Sequence, residues 1–291
     1  MARKKRVKEK GAAWYHIIAR VVNQEHLLES DRVKSRLLDL LHRALEFSGV
    51  ELGTYTIMDN HFHLFVHVPE ACVLDDKEIL RRISVLNGEA RADAVRRQWD
   101  KWQKSGQIER YESDRARFVR RMYDLSEFMK TLKELFTMWY NREYKHVGTM
   151  WTGRFKSLLV EKGVYAGWLR AYIEANPVRA GIVNDVADYA WSGRSAALHG
   201  DVVAQQGQSR LDGEMSGYGF PVGYAVPCAR IVAFSNGQVL GSQSFVIRVV
   251  REMGFFSRRT RAWPLRETEF GNKVFAALGY KQDAIERINA A

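Results

Sequence analysis

The alternation of apolar and polar residues divides the first 70 residues into strands and one helix. A run from Trp14 to Val22 alternates in the manner of a half-buried strand. Ser30 is a favourable N-cap for the helix that follows, and Gly49 ends that helix. Its apolar positions recur at helical spacing: Val33, Leu37, Leu40, Leu41, Ala44 and Leu45. Two further runs, at 51–58 and 61–68, predict a β-hairpin.

The pattern downstream completes an α+β domain. Residues 70–124 are charged and helix-prone, which predicts a helical insertion after the hairpin. An amphipathic helix follows, with apolar positions Leu125, Phe128, Leu132, Leu135, Phe136 and Trp139. Phe155 to Glu161 reads as the last strand. The order β-α-β-β-(insertion)-α-β is the split βαβ of ferredoxin-like folds, and it predicts an antiparallel sheet with helices packed on one face.

We expect one main domain, at 12–199, with additions on both sides. Residues 1–11 contain six Lys or Arg and one Glu, which predicts a basic flexible arm that either touches phosphates or remains a solvated tail. Frequent Gly, Gln and Ser with little periodicity predict a linker at 200–227. Residues 228–291 are predicted to form a small C-terminal α/β extension with a helix at 245–253.

Two histidines lie two residues apart at the start of the second hairpin strand. Side chains at i and i+2 point to the same side of a strand, about 7 Å apart, so His61 and His63 can share one divalent ion. Phe62, Leu64 and Val66 would then face the other way, into a core. Taken alone, a His-x-His pair in a strand is more often incidental or structural than metal-binding.

A tyrosine and an asparagine flank a predicted helix boundary. Pro177 disfavours helical geometry at the residue before it, so one helix should end at Ala175 and another should start at Asn176. Tyr172 lies one turn earlier, so its phenol and the Asn176 amide should project to about the same side. A phenol beside a metal-bound phosphate can act as a nucleophile. A packed tyrosine next to a helix-capping asparagine accounts for the same two residues.

Together these strings resemble the single-tyrosine HUH transposases, and more closely the REP-associated tyrosine transposases. The matching stretches are His61-Phe62-His63, 151–156, 172–183, 189–192 and, more weakly, 237–245. The likeness covers most of residues 12–200. It implies the ferredoxin-like HUH fold, a divalent ion held by His61, His63 and Asn176, and nucleophilic attack by Tyr172.

The resemblance also implies metal-assisted transesterification on single-stranded DNA. The ion is expected to be Mg²⁺ or Mn²⁺, acting as a Lewis acid on the scissile phosphate. Imidazole tolerates Mn²⁺ or Zn²⁺ better than Mg²⁺, so the physiological metal stays open. Tyr172 would displace a 3′-OH and remain as a 5′-phosphotyrosine, with Arg154, Lys156 and Glu174 as candidates for tuning its reactivity. The family's substrates are palindromic repeats folded as hairpins with a short flanking guide sequence.

Composition is consistent with a polyanionic partner. The net charge is +11 and the pI is near 9.6, although a soluble protein can be basic without binding nucleic acid. Cys72 and Cys228 lack CxxC or zinc-finger spacing, which indicates a reducing compartment and no structural zinc. Without a secretory signal or an 18-residue apolar run, we expect a cytoplasmic protein with no membrane partner. The sequence does not determine the oligomeric state.

Basic and aromatic residues outside the motifs are candidates for DNA contact. Arg258, Arg259, Arg261 and Trp263 combine phosphate-binding charge with a ring on which a base can stack. A solvated basic loop with a packed tryptophan is the alternative. Arg154 and Lys156, in the stretch that resembles the family, are further candidates.

Two other classes of function fit parts of the pattern. One is a domesticated regulator that binds DNA hairpins and does little or no chemistry, against which the intact set of motif residues argues. The other is a replication or conjugation initiator with the same fold. Such initiators often carry two tyrosines and a helicase, whereas this chain has neither a paired active-site tyrosine nor a P-loop string. A metal-dependent hydrolase of small substrates is a more distant alternative.

Overall fold

The computed structural model describes residues 6–216, 234–235, 237–252, 262–264 and 275–277. The strands in these residues are β1 Ala13–Arg20, β2 Glu51–Ile57, β3 His61–Val68, β4 Lys156–Val160, β5 Val239–Gly241, β6 Ala262–Pro264 and β7 Phe275–Ala277. The helices are α1 Asp31–Ser48, α2 Asp76–Asn87, α3 Glu89–Lys104, α4 Ile108–Val119, α5 Leu125–Tyr144, α6 Val164–Glu174, α7 Asn176–Arg179, α8 Gly193–Leu198, α9 Val202–Met215 and α10 Gln243–Glu252. Short 3₁₀ turns occupy Val22–Gln24 and Val186–Asp188.

The chain divides into two compact units. The first comprises Met1–Gln24, Leu52–His67 and Trp151–Ala291, and the second comprises Glu25–Glu51 and Val68–Met150. This division differs from the single domain predicted for 12–199. Helices α1 and α5 belong to the second unit because α1 packs on both α5 and α2, and α2 belongs to the insertion.

One sheet, with strand order β2-β3-β1-β4-β5-β7-β6, forms the centre of the first unit. Its first four strands follow one another in the chain as β1-α1-β2-β3 and then α5-β4. That chain order with the spatial order β2-β3-β1-β4 defines the split βαβ of ferredoxin-like folds, so the predicted α+β class is confirmed. Strands β1 and β4 pair in antiparallel fashion, with His16 opposite Leu158.

The sheet continues beyond the four predicted strands and is mixed rather than purely antiparallel. Strand β5 pairs in parallel with β4, and the Glu161 N–H donates to the Leu240 carbonyl at 2.9 Å. Strands β7 and β6 follow in antiparallel order. Residues 239–241, which we assigned to a separate C-terminal extension, therefore extend the main sheet. Helix α10 confirms the helix predicted at 245–253.

The linker predicted at 200–227 is wrong for residues 202–215, which form α9. Asp201 caps this helix, because its carboxylate accepts the Ala204 N–H at 2.8 Å. Gly207 lies against β2 so closely that a Cβ atom there would lie 2.4 Å from the Gly53 carbonyl oxygen. The helix therefore packs through a close backbone approach, with the buried side chains of Gln208 and Leu211 beside it. Such a face gives no apolar stripe for sequence periodicity to detect.

The predicted flexible arm is wrong for residues 6–9, which are tied to the first unit. The Arg6 guanidinium packs 3.6 Å over the Phe155 ring, and Val7 is buried. The Glu9 carboxylate pairs with Arg248 at 3.1 Å. Residues 1–5 lie outside the described part of the chain.

The second unit is helical, as the pattern at 70–124 predicts. Helices α2, α3 and α4 occupy the insertion and surround a core centred on Trp99, whose indole N–H donates to Asp114 at 2.9 Å. Ser30 caps the start of α1, and Gly49 ends it in a left-handed conformation, both as predicted. Within the described residues, no helix of either unit is long and apolar enough to cross a membrane.

Candidate functional site

The histidine pair lies where the alternation of β3 predicts. Phe62, Leu64 and Val66 are buried on one side of the strand, and the two imidazoles share the other side. The ring centroids of His61 and His63 are 5.1 Å apart with the planes at 74°. His63 is 3% exposed, whereas His61 is half-buried. His67, further along the same side, packs its ring on Trp14 at 5.1 Å.

A third histidine, His16 on β1, completes the cluster. It is 1% exposed, and its Nε2 lies 2.8 Å from Nδ1 of His63. Its other ring nitrogen, Nδ1, lies 2.9 Å from the Phe234 carbonyl oxygen. The sequence analysis missed this residue. The signal that could have found it is a single polar side chain in the apolar strand Ala-Trp-Tyr-His-Ile-Ile.

Burial keeps the two inner imidazoles neutral. Desolvation lowers the pKa of His16 to about 3, against a smaller opposing effect of the hydrogen bond to Phe234. Desolvation also lowers the pKa of His63 well below its usual value, and the neighbouring His16, His61, Arg179 and Arg20 lower it further. At neutral pH the ring of His63 is therefore in the uncharged form that a metal ligand requires.

Tyr172 lies on α6 beside the histidine cluster. Its ring is edge-on to the rings of His16 and His63, with both centroid distances at 6.4 Å. The hydroxyl is 2.9 Å from the Ser235 hydroxyl, and the residue is 3% exposed. The Arg179 guanidinium packs 4.0 Å from the centre of the Tyr172 ring. The structure thus brings Tyr172 and His63 together from elements that are more than a hundred residues apart.

Asn176 lies at the helix boundary that the sequence predicts, but its side chain does not cap a helix. Helix α6 ends at Glu174 and α7 starts at Asn176, with Ala175 as the N-cap residue and no side-chain cap hydrogen bond. The amide nitrogen Nδ2 is buried and has no hydrogen-bond partner among the described residues. A carboxamide that serves no cap and lacks an internal partner fits a role facing a ligand, because either end can be turned to that ligand.

The remaining predicted residues lie outside this cluster or outside the described chain. Arg154 and Lys156 are exposed, and Lys156 begins β4 opposite Ile18. His16, Ile18 and Lys156 share one face of the sheet, because directly paired residues lie on the same side and so do alternate residues of a strand. Arg258, Arg259 and Arg261 lie outside the described residues. Trp263 lies in β6, and its side chain is not described.

Glu174 turns away from the tyrosine into a different buried cluster. Its carboxylate accepts hydrogen bonds from the Thr54 hydroxyl at 2.8 Å and the Gln208 amide at 2.7 Å. Arg170 lies one turn earlier on α6, with its Nε 3.5 Å from the same carboxylate oxygen. These contacts join α6 to β2 and α9, so Glu174 has a structural role and is not placed to tune Tyr172.

The residues present fit a divalent ion. The described residues contain no group of three or more His, Cys, Asp or Glu that could hold a metal, so an ion bound by His61 and His63 needs a ligand of another kind. The carboxamide of Asn176 and the oxygens of a phosphate are such ligands. His61 is also anchored as metal-binding histidines usually are, since its Nδ1 lies 2.7 Å from the Asn60 side-chain oxygen.

The first unit therefore combines a split βαβ sheet with a histidine pair on a strand and a tyrosine on a helix, and the tyrosine ring packs against His63. Residues 10–112 match the family model described as "Transposase IS200 like". The resemblance inferred from the motifs is thereby confirmed over this part of the chain, and it supports a transposase-like role in DNA processing. The matched range contains His16, His61 and His63 and ends before Tyr172.

Among solved structures, the chain is similar to one described as "Structure of the REP associates tyrosine transposase bound to a REP hairpin". The TM-score is 0.48 and the sequence identity is 14%, over 80% of this chain and 96% of that chain. No curated protein matches this chain.

Proposed function

We propose that this protein is a metal-dependent, single-stranded DNA endonuclease and strand transferase of the transposase type. Its substrate is DNA that contains a hairpin, and the reaction passes through a 5′-phosphotyrosine at Tyr172. The observation that carries the proposal is the packing of the Tyr172 ring, edge-on, against the ring of His63 at 6.4 Å. The fold brings a phenol and a neutral imidazole into one buried cluster, and simple core packing does not require either group.

The chemistry follows from the groups in the cluster. His61, His63 and the carboxamide of Asn176 would hold a divalent ion, Mg²⁺ or Mn²⁺, which when bound supplies Lewis acidity to the phosphate oxygens. The Tyr172 oxygen forms a bond to phosphorus as the bond from phosphorus to the 3′ oxygen breaks. The phenol loses its proton, and the departing 3′ oxygen gains one. The phosphodiester is conserved as a phosphotyrosine, so a free 3′-OH from another end can reverse the step and join to it.

Substrate access requires a change at the Tyr172 hydroxyl. In the structure this hydroxyl is hydrogen-bonded to Ser235, and the residue is almost fully buried. A scissile phosphate must take the position of the Ser235 hydroxyl before the tyrosine can attack. The net charge of +11 favours binding of the polyanion, and exposed Arg154 and Lys156 are proposed phosphate contacts.

The same burial favours a second candidate function. A protein whose tyrosine stays hydrogen-bonded to Ser235 on DNA would bind hairpins and not cut them, as a domesticated regulator does. The two functions share the binding surface and differ in whether the phosphate reaches Tyr172.

The test is covalent capture on hairpin DNA. The protein is incubated with Mn²⁺ and end-labelled single strands carrying hairpins from the DNA beside its own gene, and denaturing gels detect protein-linked DNA. We expect an adduct that peptide mapping assigns to Tyr172. Tyr165→Phe is the matched control, because Tyr165 lies two turns earlier on the same helix and packs on Trp168.

The outcomes separate the candidates. An adduct at Tyr172 that survives Tyr165→Phe supports the nuclease. Hairpin binding without any adduct, at every metal tested, supports the regulator. An adduct mapped to another residue overturns the assignment of the nucleophile.

A further inference from the structure

Three groups form a hydrogen-bonded row that ends at His63: the Phe234 carbonyl, the His16 ring and the His63 ring. The Phe234 carbonyl oxygen is 2.9 Å from Nδ1 of His16, and Nε2 of His16 is 2.8 Å from Nδ1 of His63. The His16 and His63 rings are nearly parallel, at 15° with centroids 5.0 Å apart. His16 contacts His63 at Nδ1, so Nε2 of His63 is the ring nitrogen that would bind an ion.

The direction of each hydrogen bond in this row is fixed by its first member. A carbonyl oxygen only accepts, so Nδ1 of His16 carries the proton in the bond to Phe234. A neutral imidazole has one protonated nitrogen, which leaves Nε2 of His16 as an acceptor. Nδ1 of His63 must then be the donor in the bond between the two rings.

The neutral form of His16 follows from its surroundings. The residue is 1% exposed, and its ring nitrogens face a carbonyl and another imidazole, neither of which carries negative charge. An imidazolium in that position would lose its hydration without gaining an opposite charge.

We propose that His16 is a positioning residue that holds His63 in the Nδ1–H tautomer and so keeps the lone pair of His63 on Nε2. This role rests on the proposed function only in assigning the Nε2 lone pair to a metal ion, because the tautomer is a property of the protein before any metal binds. Metal-binding histidines are commonly oriented by a carboxylate or carbonyl behind them. Here an imidazole takes that place and passes on the orientation set by the Phe234 carbonyl.

The two predicted ligands are therefore anchored in different ways. His61 has a nearby anchor in the hairpin turn, where the Asn60 amide nitrogen donates to the Gln24 carbonyl at 3.4 Å and turns its oxygen toward His61. His63 is anchored through β1 to residue 234, so its tautomer depends on a contact 171 positions away in the chain (234 − 63). Loss of His16 should affect His63 and leave His61 unchanged.

The decisive measurement is the tautomer itself. Protein labelled with ¹⁵N in the histidine rings is studied without metal by long-range ¹H–¹⁵N correlation, which distinguishes a protonated ring nitrogen from one with a lone pair. We expect protonated Nδ1 and unprotonated Nε2 at both His16 and His63 in the unmodified protein. A protonated Nε2 at His63, or signals averaged between tautomers, would overturn the inference without any variant.

Two variants test whether His16 is the cause. His16→Gln can accept from His63 through its amide oxygen, whereas His16→Leu is of similar size and offers no acceptor. We expect His16→Gln to keep the His63 tautomer and to bind Mn²⁺ within about threefold of the unmodified protein. We expect His16→Leu to lose the tautomer preference and to weaken Mn²⁺ binding by about 10–100-fold, which is the usual effect of removing the hydrogen-bond partner of a metal-binding histidine.

Equal Mn²⁺ affinity and an unchanged His63 tautomer in His16→Leu would refute the positioning role. Far-UV circular dichroism checks that each variant is folded. If His16→Leu is not folded, the inference is judged on the His63 tautomer of the unmodified protein. If that protein shows the expected tautomer but neither binds Mn²⁺ nor cleaves DNA, the positioning inference stands and the proposed function fails.

Discussion

Two buried polar clusters involve neighbouring residues of α6, Glu174 and Tyr172, and they differ in charge: the first is built around a carboxylate beside Arg170, and the second consists of imidazoles and hydroxyls. In the carboxylate cluster, Glu174 accepts from Thr54 and Gln208 and lies beside Arg170. In the histidine–tyrosine cluster, made of His16, His61, His63, Tyr172 and Ser235, burial keeps the imidazoles of His16 and His63 neutral, and Tyr172 has a hydroxyl as its partner. Tyr172 and Glu174 are two residues apart on one helix and face different neighbours.

The difference indicates what each cluster is for. A buried carboxylate with several donors joins α6 to β2 and α9 and is costly to disturb. The histidine–tyrosine cluster instead contains the imidazoles and the phenol that the proposed chemistry needs. We therefore expect changes in the first cluster to affect stability and changes in the second to affect chemistry.

The largest expected effect is loss of cleavage in Tyr172→Phe. The change removes one oxygen and its hydrogen bond to Ser235, which should lower the free energy of unfolding by only about 1 kcal/mol. Adduct and strand cleavage should disappear, while hairpin affinity is retained. Denaturing gels, urea unfolding and a binding titration measure the three quantities. Cleavage at the normal rate would place the nucleophile elsewhere.

The next effect concerns the two histidines, which should be equal in chemistry and unequal in stability. Ala at either position should abolish metal-dependent cleavage with hairpin affinity largely intact, because phosphate contacts dominate binding. His63→Ala should also cost about 1–3 kcal/mol, because it leaves a buried nitrogen of His16 without its partner. His61→Ala, at a half-buried site, is the comparison. Full cleavage by the double variant would refute the metal assignment.

The opposite result is expected in the carboxylate cluster. Glu174→Ala leaves the buried groups of Thr54 and Gln208 without their acceptor and leaves Arg170 with Asp212 alone, so it should lower the free energy of unfolding by about 3 kcal/mol. Cleavage per folded molecule should stay within about twofold of normal. Urea unfolding and a burst titration of active sites separate the two effects. A large loss of activity at normal stability would mean that Glu174 acts in the chemistry after all.

Acid should destabilise the protein through the histidine–tyrosine cluster. The folded-state pKa of His16 is lowered to about 3, and that of His63 is lowered as well, whereas an unfolded imidazole titrates near 6.5. Below about pH 6.5 the unfolded chain binds protons that the folded chain does not, so stability falls as the pH drops and is flat above. Each such imidazole contributes a slope of about 1.4 kcal/mol per pH unit.

Urea midpoints between pH 7 and pH 5 measure this slope, and His16→Gln should remove the part that is due to His16. A slope unchanged in that variant would mean that other groups cause the acid sensitivity.

The smallest expected effect is on salt dependence. The logarithm of hairpin affinity should fall with the logarithm of salt concentration, by about 0.7 for each phosphate contact on a single strand. Since residues 6–9 are held against the first unit, only residues 1–5 remain as a candidate arm, and they contain three basic residues. Deleting residues 2–5 should lower the slope by about 2 if all three contact phosphates. An unchanged slope would indicate that this segment does not contact DNA.

Local patterns determined the elements and most of the candidate site. The alternation in β3 places His61 and His63 on one side, and the proline at 177 fixes the helix boundary beside Tyr172 and Asn176. Both depend only on neighbours in the chain, so the sequence is sufficient to predict them. The order of the elements was likewise enough for the split βαβ.

Contacts between distant segments could be decided only by the tertiary structure. Helix α9 packs by a close approach of Gly207 to Gly53, and β5 adds to the sheet in parallel with β4. Neither leaves a periodic signal, because one depends on the absence of a side chain and the other involves a strand of three residues.

The distance between contacting segments also explains which residues of the site the sequence could identify and which it could not. The sequence by itself identified the residues of the proposed chemistry, His61, His63, Tyr172 and Asn176, because short motifs carry them. The partners that set their state, His16 and Ser235, are 47 and 63 positions away from the residues that they contact. A hydrogen bond between such positions exists only once the chain has folded, so its donors, its burial and the neutral imidazoles that result were decided by the tertiary structure.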